Sequence, residues 1–466
     1  MSRLSELTKN TALFAISNFA SKVLVFLMVP LYTSVLTTED YGISDLITST
    51  VSLLLPIFTM CISEAVLRYT IENKDKGNHS VSIGINICVL SALIVAVITP
   101  VISMLLNVGN CIWFIPVYYL FTAMTGVLSK FARAIDKVKE SAIAGVIQTF
   151  VIVLLNVLFL VYFKWGVVGY LTAYVLGSLS STIYLFLSCD VTRKYSLKLF
   201  KSETSSYISY SMPLVPNSIS WWLMDSASRY IIRFIISLSA IGIYAAAIKV
   251  PTILNVLSSI FMEAWLLSVL KEYDKPGSKE FIAKGYSLFN FAMMICSFGL
   301  ITLSYPIARI LIRGEFLEGW VYMPIMICST FYGSLSGFIG CIYSAEKCTS
   351  LYFKTTIFGG VVSLVIGFFL APSFGLYGVV TGVLIGYIAN WLCRLYTTRK
   401  YLNLKLSLVK EIINHCCLVV AAFCISFNAT YIAIGLFVLF VLVNISVIKD
   451  LLYRMKPVII NRLNRK

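Results

Sequence analysis

The sequence predicts an all-α polytopic membrane protein: two parallel six-helix repeats around a central cavity, followed by two C-terminal helices. Three observations predict it: the composition, a series of long apolar runs, and the lopsided placement of basic residues between them. Apolar side chains make up 59% of the 466 residues and charged ones only 12%. Soluble domains carry roughly 25% charged residues. Mean hydropathy is +0.89. This composition excludes a soluble enzyme, a secreted disulfide scaffold, a disordered chain and a nucleic-acid-binding domain.

A spanning helix needs about 20 mostly apolar residues at 1.5 Å rise each. In chain order, such runs lie near 11–35, 43–68, 81–106, 112–132, 141–163, 167–188, 207–228, 241–269, 281–305, 320–343, 351–371, 376–396, 412–427 and 431–448. That gives about 14 spans, the last two short enough to be one hairpin. The runs are too long and too uniformly apolar for barrel strands, which alternate. Only helices or closed barrels satisfy the backbone in lipid. The first run is too long for a signal-peptide core and lacks a small-residue cleavage site, so no cleavable leader is expected.

Basic residues set the orientation. With the N-terminus in the cytoplasm, 30 of the 37 Lys and Arg fall in inside segments. Five fall outside: Lys164, Arg229, Arg233, Arg309 and Arg313. Lys22 and Lys249 fall within spans. The split follows the positive-inside rule and puts both termini in the cytoplasm through an even span count. It also accounts for the net charge of +16 without nucleic acid as a partner.

The chain repeats itself. Gly166, Gly169, Thr172 and Gly177 match Gly375, Gly378, Thr381 and Gly386 at an offset of 209. Asp136-Lys137 matches Glu346-Lys347 at 210, and Tyr41-Gly42-Ile43 resembles Ile241-Gly242-Ile243 at 200. Three matches in one order make runs 1–6 and 7–12 two copies of one unit. Six is even, so the copies share an orientation, with the substrate path between them. The expected organisation is a six-helix lobe over 1–188, a basic cytoplasmic linker over 189–206, a second six-helix lobe over 207–396, and a basic loop, helices 13–14 and a basic tail over 397–466.

Ionisable groups at bilayer depth cost several kcal/mol unless they face a cavity or a partner. Lys22 sits about 11 and 13 residues from the two ends of the first run, roughly 17–20 Å. Thr11, Asn18, Lys22 and Thr33 share one helical face. A polar stripe centred on a cation reads as a cavity wall; a lysine bracing a buried carboxylate is the alternative. Lys249 reads as a cavity cation in the eighth run. Asp225/Arg229 and Glu64/Arg68 have the i, i+4 spacing of intrahelical ion pairs. Asp225 and Glu263 are the cavity-lining or coupling carboxylates, alongside Asn18. Pro30, Pro56, Pro213, Pro216 and Pro251 mark breaks or kinks. Trp221-Trp222 and Tyr118-Tyr119 suit interface belts, with sugar stacking the functional alternative. Twelve Cys without a CxxC pair read as reduced apolar fillers, and two His leave little for a metal. No Walker A, HExxH or GxSxG motif occurs. An enzyme, a cofactor and a metal site are therefore not expected.

These residues resemble the polysaccharide-flippase (Wzx-type) branch of the multidrug/oligosaccharidyl-lipid/polysaccharide exporter superfamily. The telling stretches are Asn10–Ala15, Lys22 with Phe26 through Tyr32, Leu36 through Gly42, and Ala65 through Tyr69. The second half follows suit with Met212 through Pro216, Asp225, Arg229 through Ile232, Gly242-Ile243-Tyr244, and Lys249. The resemblance covers residues 5–400. It implies a multi-pass protein of the bacterial cytoplasmic (inner) membrane. Such a protein moves undecaprenyl-diphosphate-linked oligosaccharides to the outer leaflet for O-antigen, lipopolysaccharide or capsule synthesis. Lipid II flippases have fourteen spans, which matches helices 13 and 14. By resemblance, Lys22, Arg229 and Lys249 bind the diphosphate or acidic sugars. Membrane lipids, polysaccharide polymerase machinery and H+ or Na+ are the further partners it suggests. The competing expectation is a drug/cation antiporter of the same fold, which would favour acidic residues in the cavity.

Overall fold

A computed structural model describes residues 24, 26–73, 77–196, 201–273, 275–346, 348–401 and 408–445. Regular structure among them is helical throughout. The principal helices are α1 (Val29–Val35), α2 (Thr38–Thr59), α3 (Ile62–Glu72), α4 (Gly77–Leu106), α5 (Phe114–Ala134), α6 (Val138–Asn156), α7 (Gly166–Ser188), α8 (Lys201–Ser211), α9 (Val215–Asp225), α10 (Ser228–Ile235), α11 (Leu238–Ala247), α12 (Pro251–Glu272), α13 (Ser278–Thr302), α14 (Met323–Ala345), α15 (Thr349–Phe374), α16 (Leu376–Thr398), α17 (Leu408–Ser426) and α18 (Thr430–Val443). They cluster into two compact units. The first comprises Met1–Lys249, Arg309–Gly319 and Thr349–Asn390; the second comprises Val250–Ala308, Trp320–Cys348 and Trp391–Lys466. The units group packed helices, whereas the expected lobes are drawn from a repeat of sequence.

Ten helical segments among the described residues are long and apolar enough to cross a membrane, or eleven if α11 and α12 form one bent span. Three of the 14 expected runs account for the difference. The first run lies largely outside the described residues. The seventh is broken into α8, a 3-10 turn at Met212–Leu214, and α9. The fourteenth forms only the 14-residue α18. Prolines act mainly as helix starters. Pro30, Pro213 and Pro216 occupy the first or second position of their helices, and Pro251 opens α12. There the missing N–H is no loss. Pro56 lies inside α2, and Met60 and Cys61 follow with φ of 51° and 54°. Two successive non-glycine residues in the left-handed region break the second run between α2 and α3.

In the first unit the repeat is visible as atomic detail. Thr37 caps α2: its hydroxyl accepts from Asp40 N at 3.0 Å, and Asp40 Oδ2 accepts from Thr37 N at 3.5 Å. This capping box gives the Leu36–Gly42 stretch a physical meaning. At the offset of 200, Ser237 caps α11 by accepting from Ala240 N at 3.1 Å. Five residues after each cap the two helices cross at glycine. A Cβ on Gly42 would stand 2.1 Å from Leu238 O, and one on Gly242 would stand 1.9 Å from Thr38 O. The clashes are reciprocal, as a local two-fold relation requires. Thr38 Oγ1 donates to Ser239 Oγ at 3.2 Å beside the crossing. Gly166 and Gly375, another matched pair, both take φ of 54°, a conformation that favours glycine. They open α7 and α16, where Gly177 meets Ile152 of α6 while Gly378 and Gly386 meet Leu370 and Gly359 of α15.

The core of the second unit is aromatic. Phe261 and Trp265 of α12 stack with Phe289 of α13 and Phe338 of α14 at centroid distances of 4.8–6.4 Å. All twelve cysteines of the chain carry free thiols.

Candidate functional site

The seventh run bears Asp225 and Arg229, and the structure does not make them an intrahelical carboxylate–guanidinium pair. The helix breaks between them at Ser226-Ala227, where Ser226 takes φ of −127°. Arg229 Nη1 donates to the backbone carbonyl of Asp225 at 2.8 Å. Its Nε donates to the carboxylate of Asp45 on α2 at 2.5 Å. The guanidinium also lies 5.5 Å from the centroid of the Tyr244 ring. Arg229 is 9% exposed, so this is a nearly dry ion pair, shielded from the water that weakens surface pairs. The Asp225 carboxylate accepts instead from the Tyr387 hydroxyl of α16.

Phenols line the other flank. Tyr32, Tyr41 and Tyr170 pack with centroids 5.0–6.1 Å apart, and Tyr170 stacks on Tyr174 at 4.7 Å. Tyr118 meets Tyr174 edge-on. Tyr170 donates to Tyr174 Oη at 3.0 Å, and Asn156 Nδ2 donates to Tyr32 Oη at 3.0 Å. Lys249, half-buried at the end of the unit, lies within electrostatic reach of Tyr174, as does Asp45. Arg229 and Asp45 both act on Tyr41. Arg229 and Lys249, 20 residues apart in sequence, thus border one cluster of hydroxyls and charges. Such a cluster can bind an anion through its cations and a hydroxyl-rich ligand through its phenols.

Lys22 and Asn18 lie outside the described residues. Glu263 falls on α12, with its side chain outside the described set. Glu64 and Arg68 also choose other partners. Lys130 Nζ donates to Glu64 at 2.6 Å, and Arg68 Nε donates to Glu72 at 2.8 Å. Of the paired aromatics, Tyr119 is fully buried and Trp222 Nε1 donates to Ser49 O at 3.0 Å, while Tyr118 and Trp221 are half-buried. Asp45 is the partner of Arg229 that sequence reasoning passed over. Its signal was present, since it is a carboxylate inside the apolar run 43–68. Arg394, assigned by sequence to an inside segment, is completely buried, and its guanidinium donates to Ser336 O at 2.5 Å.

The chain shares its fold with an inward closed conformation of the lipid II flippase MurJ. The TM-score is 0.72 at 16% identity, covering 94% of this chain and all of that one. It also matches an inward-facing multidrug resistance MATE family transporter of the MOP superfamily, with a TM-score of 0.67 at 14% identity over 83% of this chain and 98% of that one. A MOP superfamily transporter from Pyrococcus furiosus, described as having a binding pocket of reverse polarity, gives 0.57 at 14% identity over 84% and 96%. Comparison with curated proteins found no match. A family model described as polysaccharide biosynthesis protein matches residues 7–266, more than half the chain. This multi-pass membrane chain, built on the fold of the MOP-superfamily transporters, belongs to the polysaccharide biosynthesis protein family.

Proposed function

We propose that the protein is a flippase that carries undecaprenyl-diphosphate-linked oligosaccharide units from the cytoplasmic to the outer leaflet by alternating access. The lobes 1–188 and 207–396 would rock about the site, with both termini cytoplasmic in a bacterial inner membrane. The observation that carries the reading is the Arg229/Lys249 cluster with its phenols, in a member of a polysaccharide biosynthesis family. A diphosphate cannot cross hydrocarbon without compensation of its charge. Lys22, Arg229 and Lys249 would supply that compensation, and the phenols suit sugar hydroxyls. Arg229 is held by Asp45, so phosphate binding requires it to exchange one anion for another. The prenyl chain would stay in lipid, and H+ or Na+ or the membrane potential would bias the cycle.

Deletion of the gene tests this. Complete lipid-linked repeat units should accumulate on the cytoplasmic face. Unchanged lipid intermediates with new drug sensitivity would instead establish the antiporter reading, which Asp45 and Asp225 favour as cation-binding carboxylates. At residue level, Lys22→Ala should reach the membrane normally and lose export, Lys22→Arg should keep part of it, and Lys22→Glu should be worst. Full export by Lys22→Ala at normal abundance would remove Lys22 from the site. Reporter fusions after Lys201 and Lys405 should read cytoplasmic, and an outside signal at Lys201 would break the two-lobe topology.

A further inference from the structure

The two helices beyond the repeat bring a second group of titratable side chains into the second unit. His415 of α17 is 7% exposed and enclosed by rings. Trp391 of α16 lies 4.6 Å away centroid to centroid, with Tyr332 at 5.5 Å and Phe331 at 5.6 Å on α14. His415 Nδ1 is 3.2 Å from the Tyr332 hydroxyl. Its Nε2 faces Glu411 Oε2, one turn back on α17, at 3.5 Å. That separation exceeds a good hydrogen bond, and Nε2 is buried with no hydrogen-bond partner among the described residues. Asn290 of α13 donates to Glu411 Oε2 at 2.7 Å, and Asn290 Oδ1 is likewise buried and unbonded.

We propose that Glu411 and His415 form a proton-binding site. The surroundings accept both protonation states of the ring. In the neutral form Nε2–H points at Glu411 while Nδ1 accepts from the Tyr332 hydroxyl. In the imidazolium form Nδ1–H donates to that same hydroxyl oxygen, because a phenol can do either. The positive ring then faces π electrons of Trp391, Tyr332 and Phe331 and a carboxylate. Glu411 lies in the first turn of α17, where the helix dipole favours an anion. Its side chain is 22% exposed against 9% for His415, which provides a route by which the proton reaches the ring.

The other titratable or charged groups nearby do not replace this pair. Tyr286 of α13 accepts from Trp391 Nε1 at 2.9 Å. Cys328 of α14 donates to Leu418 O. Arg394 of α16 is engaged at Ser336 O and beneath Tyr343. On α17, Cys416 and Cys417 follow His415, and Lys410 precedes Glu411 about a third of a turn away. Just past α18, the neutral Asn444 meets Asn414 of α17 through reciprocal amide hydrogen bonds of 3.4 and 2.8 Å. That this proton is the coupling ion rests on the transporter reading above.

The chain contains two histidines, so histidine-labelled protein in nanodiscs gives two imidazole NMR signals, and His79→Asn leaves His415 alone. Its ring signal should move as the sample is titrated from about pH 9 to pH 5. Glu411→Gln keeps the shape and the acceptor for Asn290, and should lower the midpoint by about one unit, a tenfold loss of proton affinity. A ring signal constant over that range, or a midpoint indifferent to Glu411→Gln, overturns the site. For coupling, His415→Asn and Glu411→Gln at normal abundance should each accumulate lipid-linked units inside, and normal export in both overturns the coupling role. Should deletion of the gene leave lipid intermediates unchanged, the flippase reading falls while the titration still judges the proton site.

Discussion

Two seams meet on α2, and they are built on opposite principles. At its N-terminal end α2 crosses α11 backbone to backbone at Gly42 and Gly242. One turn further along the same helix, Asp45 reaches Arg229 of α10. The first seam is symmetric: cap, crossing glycine and facing carbonyl all recur at an offset of 200. The second is not. The position 200 after Asp45 is Ala245, and the position 200 before Arg229 is Val29. The crossing therefore has a counterpart at that offset, and the charged contact has none. Close-packed small residues serve a membrane fold because lipid provides no hydrophobic drive between helices. A buried ion pair adds little net stability beyond a packed apolar contact, and breaking it is costly. The crossing therefore reads as architecture, and the Asp45–Arg229 pair as a point where a ligand can intervene.

The largest expected effect lies in the charged seam. Asp45→Asn leaves the Arg229 guanidinium buried without its anion, at a cost of about 3–5 kcal/mol. Thermal midpoint in detergent and membrane abundance should both drop. Asp45→Asn combined with Arg229→Gln should recover much of the stability without recovering export. Undiminished stability of Asp45→Asn alone would mean that the guanidinium is solvated and the contrast between the seams is false.

The next effect tests the crossing. Gly42→Ala and Gly242→Ala each drive a methyl into a facing backbone carbonyl, which no rotamer change relieves. Each should cost about 1–3 kcal/mol, with nearly equal losses because the geometry is reciprocal. Gly126→Ala in α5 is the control. Its Cβ would meet nothing within 4 Å, so the helical propensity of alanine should be neutral or stabilising by about 0.5–1 kcal/mol. Equal behaviour of Gly42→Ala and Gly126→Ala in a melting experiment would remove the close approach.

The sequence announced the matched motif behind the first seam, though not the crossing itself, and left the second seam largely hidden, for physical reasons. Apolar run length reports helices directly, and glycines at one offset report a repeat because close approach tolerates little else. Arg229 was visible as a cation near the seventh run, but its partner is 184 residues away and no local spacing announces it. The i, i+4 rule supplied Asp225 instead, and it failed because Ser226-Ala227 interrupts the helix on which the rule depends. The Glu411/His415 group escaped for a related reason. The apolar run there starts at 412, so Glu411 falls just outside it, and the two histidines read only as too few for a metal. Broken helices were foreseen from Pro213 and Pro216, whereas the Met60-Cys61 break has no residue signature. Lobe boundaries rest on the repeat.

The smallest effect asks whether the symmetric seam acts as one unit. Thr37→Ala and Ser237→Ala each remove a cap worth about 1 kcal/mol. The caps differ in one respect: Asp40 returns a hydrogen bond to Thr37 N, while Ala240 cannot do so for Ser237. Thr37→Ala should therefore cost slightly more. The caps adjoin the Thr38–Ser239 hydrogen bond across the crossing, so loosening one helix start displaces the partner of the other. If the ends are coupled, the double variant should depart from the sum of the single losses by about 0.5 kcal/mol or more. Strict additivity in a double-mutant cycle on thermal midpoints would show two independent helix starts that merely share an ancestry. A coupling as large as either cap would show that the duplicated motif persists because its two copies hold each other in place.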